Sequence, residues 1–176
     1  MALDYWHKLS TRRKRVFAIL SFFLLSVIIT IAGVLTPLTA SEVTTREEDL
    51  KQLRENVSLQ YIFGNNLVIC LVMFVPVIGP ILGLSILYNT GVYVAADSNA
   101  NNVSPLLAFA VLFIFPFTWL EFLAYSVAFA ESVWLTWRVI QRKGKSELMA
   151  ASKFVLIVNV ALLLAAIIET AIIASI

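Results

Sequence analysis

Between Glu55 and Arg138 the chain has no lysine, arginine or histidine, and its only carboxylates there are Asp97, Glu121 and Glu131. No water-exposed surface can be built from such a stretch. A soluble domain carries about 25% charged residues, whereas this chain of 176 residues has 14% charged and 60% apolar. The apolar excess exceeds what one core could hide, so the bilayer is the solvent. The expected fold is all-α, a polytopic transmembrane helical bundle forming a single integral membrane domain over residues 1–176. The basic residues fall into two short clusters beside apolar segments rather than a stripe, which excludes a nucleic-acid partner.

Chemistry-bearing residues are scarce. Cys70 lies inside an apolar run and has no second cysteine to pair with, so it reads as a small buried hydrophobe. His7 stands among Tyr5, Trp6 and Lys8. A zinc site needs three or four clustered ligands and a hydrolase relay needs its histidine beside a nucleophile. The sequence therefore predicts no metal, no cofactor and no catalytic residue.

The first span runs over about residues 16–38 behind Arg12-Arg13-Lys14-Arg15. It is longer than the 7–15 residue core of a signal peptide, and Pro37-Leu38-Thr39-Ala40 is a poor cleavage site, so it reads as an uncleaved anchor. A polar segment follows, with an amphipathic helix expected over about 45–60. Thr45 and Glu48 fit a capping box, Glu47, Glu48 and Asp49 load the first turn, and Leu50, Leu53, Val57 and Tyr61 form a stripe. That stripe packs on the bundle or lies on the membrane surface. The sequon Asn56-Val57-Ser58 sits in this helical context, which argues against glycosylation.

Two apolar blocks, about 61–96 and 105–140, are each about 54 Å as straight helix, far too long for one crossing. The first contains Pro76-Val77-Ile78-Gly79-Pro80 and the second Pro116. A last span covers about 150–174 and carries Asn159 and Glu169. Lys and Arg flank the first span and the loop from Arg138 to Lys145, which predicts a cytoplasmic N-terminus and an outer polar helix. An odd number of crossings must then separate Gln60 from Arg138. Either the first block crosses twice and the second once, or the reverse. Two prolines and a glycine break a helix harder than one proline, so the first is favoured. That gives about five spans, near 16–38, 61–76, 80–96, 105–137 and 150–174, and an outside C-terminus.

Glu121 is the exceptional charge. A carboxylate near a span centre costs about 2.5–3.5 kcal/mol and needs a partner, yet neither central block offers a cation. It reads as a proton or cation site, or as an interhelical hydrogen bond. Asn65, Asn66 and Asn89 are the expected partners, because buried amides and carboxyls require mutual satisfaction. Glu131 and Glu169, near span ends, read as snorkelling residues. Gly79 with Gly83, and Gly91 with Ala95, give small faces for close helix contact.

The order Phe63-Gly64-Asn65-Asn66, Ile78-Gly79-Pro80-Ile81-Leu82-Gly83, Leu87-Tyr88-Asn89-Thr90-Gly91 and Pro116-Phe117-Thr118-Trp119-Leu120-Glu121-Phe122-Leu123-Ala124 resembles the stage II sporulation protein M family over about residues 61–137. Family members carry Pro-His-Gly-x-x-Glu-x-x-Ala, where this chain has Phe117 and Thr118 in place of His-Gly. The resemblance implies a multi-span scaffold. The expected function is a non-enzymatic scaffold or assembly subunit of a membrane complex, partnered by the bilayer and by other membrane proteins as a hetero- or homo-oligomer. A transporter or channel component with its site at Glu121 is the rival, because paired broken helices point to a midplane site. An accessory subunit of a larger membrane enzyme is the third reading.

Overall fold

The computed structural model describes residues 10–55, 57–142 and 144–175, with backbone alone at 145 and 146. His7, Lys8, Asn56 and Lys143 lie outside the described residues. The chain forms α1 (Thr11–Val34), α2 (Ala40–Glu55), α3 (Leu59–Met73), α4 (Ile78–Ala100), α5 (Pro105–Leu112), α6 (Pro116–Ile140) and α7 (Gly144–Ile173). Helices α1, α4 and α7 run in one direction through the bundle, and α3 and α6 run in the other.

Helix α1 shows which solvent the fold was built for. Its buried residues are Ser26, Thr30, Gly33 and Val34, while Phe17, Leu24 and Ile28 are about three-fifths exposed. That pattern inverts a soluble helix. In lipid the apolar side chains gain nothing from hiding, and small residues inside let backbones approach. Gly33 and Gly91 carry the α1–α4 crossing: a Cβ on Gly33 would stand 2.0 Å from the Tyr88 carbonyl oxygen, and one on Gly91 would stand 2.1 Å from that of Thr30. Beside this crossing the Thr36 and Tyr88 hydroxyls hydrogen-bond at 2.8 Å. Gly83 makes room for the Phe129 ring instead. Phe129, Met73 and Leu162 are fully buried in the main core with Cys70, Leu87 and Val158.

Among the described residues three helices are long and apolar enough to cross a membrane: α1, α4 and Glu147–Ile173 of α7. The pair α5 and α6, bent by 86°, makes a fourth if counted as one span. Helix α3, with 15 residues, reaches only about 22 Å against a hydrocarbon core of about 30 Å. Three or four helices among the described residues are thus of membrane length, in keeping with the expected count of about five spans, and α3 is a shorter helix that returns the chain from α1 to α4.

Both expected breaks occur, each in its own way. The first is a turn over residues 74–77, and Pro80 sits in the first turn of α4, where a missing N–H costs nothing. Val77 there takes φ 68°, a left-handed conformation unfavourable for a β-branched residue. Helix α6 holds it: the Val77 N–H donates to Thr136 Oγ1 at 3.1 Å and Ser132 Oγ donates to the Val75 carbonyl at 2.7 Å. Gly79 is required by contact, since a Cβ would lie 2.3 Å from the Met73 carbonyl oxygen. The second break precedes Pro116 and is a sharp corner between α5 and α6. The Trp119 indole N–H donates to the Phe113 carbonyl at 2.8 Å, satisfying an acceptor that the corner leaves without a helical donor.

The outer helix begins earlier than expected and ends sooner. Its capping box is Thr39 with Glu42, not Thr45 with Glu48: Thr39 N–H donates to Glu42 Oε2 at 2.8 Å, and Glu42 N–H donates to Thr39 Oγ1 at 3.4 Å. Thr45 lies inside the helix and bonds the Ser41 carbonyl. The stripe is broken too, because α2 ends at Glu55 and Ser58 caps α3 by accepting from Tyr61 N–H. No residue of α2 is buried. It docks on α4 through polar groups: Arg54 on Asp97 at 2.8 Å, the Arg46 guanidinium over the Tyr93 ring, and the Tyr93 hydroxyl donating to Asp49 at 3.3 Å.

Candidate functional site

Two polar centres lie inside the bundle, at opposite ends of α6. The first is built where α3 runs beside α6. Asn66 Nδ2 donates to Glu121 Oε1 at 2.5 Å, and the Tyr125 hydroxyl donates to Asn66 Oδ1 at 3.0 Å. Glu121 and Tyr125 are one turn apart, so a single amide reaches both. One turn further along α3, Cys70 Sγ lies 3.8 Å from the Ala124 carbonyl, in a weak hydrogen bond. Glu169 of α7, half-buried, lies within electrostatic range of Glu121. Among the described residues neither carboxylate is in an ion pair.

This centre holds two of the four side chains expected to cluster. Asn65 is exposed, because the neighbour of an inward-facing helical residue points about 100° away from it. Asn89 is exposed as well, and its amide bonds back to the Ser85 carbonyl on its own helix at 2.9 Å. Of the helix-packing residues, Gly79, Gly83 and Gly91 stand at close contacts, and Pro76 and Pro116 mark the two breaks. The arrangement around Glu121 bridges α3 and α6 through the Asn66 amide.

The second centre is one that reasoning along the sequence missed. Glu131, expected to snorkel, is 1% exposed at its side chain and stands 3.4 Å from Arg15 Nε, at ion-pair distance without hydrogen-bond geometry. Arg15 also bonds Glu147 of α7, which in turn accepts from Arg138 Nε at 3.1 Å. The Arg15 guanidinium lies over the rings of Trp134 and Phe154, 5.4 Å from each centroid. Glu131 cannot reach water because α1 and α7 close over it. The cation missing from the central blocks comes from the basic run before the first span. Its usable signal was topological: the start of α1 and the end of α6 must share one end of the bundle. Among the described residues no three His, Cys, Asp or Glu side chains are grouped to hold a metal ion.

Apolar side chains on the outside of helices long enough to span a bilayer, and a close helix crossing made by small residues, define a polytopic helical membrane protein. The Stage II sporulation protein M family profile matches residues 18–172, and the chain belongs to that family. The match takes in the first span, the outer helix and the last span as well as the segment that carried the resemblance. No curated protein and no solved structure matches the chain.

Proposed function

We propose that the chain is a non-enzymatic scaffold or assembly subunit of a membrane complex in the cell membrane, with a cytoplasmic N-terminus and an outside C-terminus. The observation that carries this reading is α2. It is a polar helix without a buried residue, yet it is tied down on α4 by the Arg54–Asp97 pair and the Arg46–Tyr93–Asp49 contacts. Ordering a helix costs entropy, and this one covers no core. Its outward side offers Glu48, Lys51 and Glu55, all exposed, to another protein. The cationic Arg15 end supports the orientation through the positive-inside rule.

The test is complex size in native membranes. Solubilised in mild detergent, the chain should migrate well above its 19.6 kDa, and the combined reversals Glu48→Lys, Lys51→Glu and Glu55→Lys should release it without lowering its helicity. The reading fails if the large species survives those reversals. It fails too if the purified chain alone moves protons or cations across liposomes and Glu121→Gln abolishes the flux.

A further inference from the structure

We infer that the face of α4 carrying Ser85 and Asn89, with the adjoining face of α3, is covered in the membrane by the same face of a second copy of this chain. Asn89 is the twelfth of the 23 residues of α4, a helix long and apolar enough to cross a bilayer, so its amide stands near mid-membrane depth. Its side chain is nonetheless exposed. Together with Val72 of α3 and with Leu82, Ser85, Ile86 and Tyr93 of α4 it lines a groove of about 320 Å³ on the outside of the α3–α4 hairpin.

The hydrogen bonds of this face are incomplete. Asn89 Nδ2 donates to the Ser85 carbonyl at 2.9 Å, which uses one amide donor and leaves the other, and Oδ1, without a partner among the described residues. The exposed Ser85 hydroxyl and the exposed Asn65 amide make no side-chain hydrogen bond among the described residues either. Asn65 stands seven residues before Val72, two turns along α3, and therefore on the same face. It is also level with Asn89. Gly79 packs against Met73, and counting eight residues from Met73 to Asn65 and ten from Gly79 to Asn89 puts the two amides within about 3 Å of one depth.

Lipid tails offer neither donor nor acceptor, so this face left to lipid keeps its polar groups unsatisfied. A carboxamide holds a donor and an acceptor side by side, and two identical faces related by a two-fold axis satisfy both at once. No residue lining the groove is an acid or a base, so two copies approach without like-charge repulsion and a charged partner finds no counter-charge. A neutral face of donors and acceptors is its own complement. The bundle side of α4 is already taken up by α1, where Gly91 meets the Thr30 carbonyl, which leaves the Asn89 side for contact outside the chain.

The test uses the purified full chain in liposomes, labelled in separate batches with donor and acceptor dyes at the N-terminus and read by energy transfer as the protein is diluted in lipid. No other protein is present, so the outcome does not depend on a partner for α2. The expected result is a reversible dimer that Asn89→Leu weakens about tenfold, in the range of interhelical hydrogen bonds in lipid, and that Asn65→Leu combined with Asn89→Leu weakens further. The only hydrogen bond of the Asn89 side chain among the described residues lies within its own helix, so the leucine variant keeps the bundle intact. Asn89→Gln retains donor and acceptor and should recover most of the affinity. Asn159→Leu removes the half-buried asparagine of α7, which bonds back to the Val155 carbonyl in the same way, and should leave the dimer unchanged. A chain that is monomeric at every dilution overturns the proposal, as does a dimer that Asn89→Leu leaves intact or that Asn159→Leu weakens equally.

Discussion

The two ends of α6 solve one problem in opposite ways. At one end Glu131 is buried beside a guanidinium, inside a network of two acids and two arginines supplied by three helices. At the other, Glu121 is held by an amide and a phenol-anchored contact, with a second carboxylate nearby and no ion-paired cation among the described residues. The ionic end locks α1, α6 and α7 by complementary charge. The Glu121 end joins α3 to α6 by one hydrogen-bonded amide. Counter-charge makes each member of the first centre dependent on the others, whereas the second is held by hydrogen bonds to an amide.

The sharpest way to break the comparison is to remove one charge. Arg15→Met strands Glu131 at 1% exposure, and a buried pair broken from one side costs about 3–5 kcal/mol. The expected outcome is the largest loss of any substitution considered, read from equilibrium unfolding in detergent. Arg15→Met combined with Glu131→Met should recover most of it, because the stranded charge is then gone. If the double variant is no better than the single, packing around Arg15 rather than charge holds this end.

At the Glu121 end the same operation should cost less. Asn66→Leu leaves Glu121 and the Tyr125 hydroxyl without their shared partner, an expected loss of about 1–3 kcal/mol. Glu121→Gln keeps an acceptor facing Asn66 Nδ2 and should cost under about 1 kcal/mol, in line with interhelical hydrogen bonds in lipid. A large loss in Glu121→Gln, measured in the same unfolding assay, would mean that the carboxylate needs its charge and would erase the distinction between the ends.

The unequal legibility of the two centres follows from where their partners sit in the chain. Glu121 stood out because the surrounding sequence holds no cation, and the need for an amide partner led to Asn66. Helical geometry alone separates Asn66 from Asn65, but choosing which of two adjacent residues faces inward requires the rotation of α3, set by packing. Glu131 was misread because its partner stands on α1, and a local pattern cannot show a pair made across helices. The breaks were visible as prolines, but the 86° corner before Pro116 was not, since one proline is compatible with a mild kink as well as a full turn. The small inner face of α1 was overlooked for a related reason: Ser26, Thr30 and Gly33 look unremarkable until Gly91 is placed against them.

The outer helix supplies a third environment for a carboxylate and the smallest expected effect. The pattern Thr-x-x-Glu occurs at Thr39–Glu42, Thr44–Glu47 and Thr45–Glu48, so spacing alone did not select the cap. Pro37 favours the first of these, since the residue before a proline is pushed out of helical conformation and a new helix can start just beyond. The Thr39 N–H and hydroxyl both donate to Glu42 Oε2, at 2.8 and 2.7 Å, and with Arg46 one turn on they hold the Glu42 carboxyl below its ordinary range. A lowered folded-state value means that the cap's contribution is fully present above the ordinary carboxylate range and is lost as pH falls through the folded value. On acidification the first turn of α2 should therefore fray before the bundle does, visible as faster amide exchange at residues 40–43. Thr39→Ala keeps the backbone donor and removes the hydroxyl, so it should move the Glu42 titration only part of the way back, as followed by carboxyl-carbon NMR. A full return would assign the stabilisation to the hydroxyl alone. No movement would leave it to the backbone N–H and Arg46, and in both cases the surface carboxylate, unlike Glu131, would be expected to tolerate the loss of one partner because water replaces it.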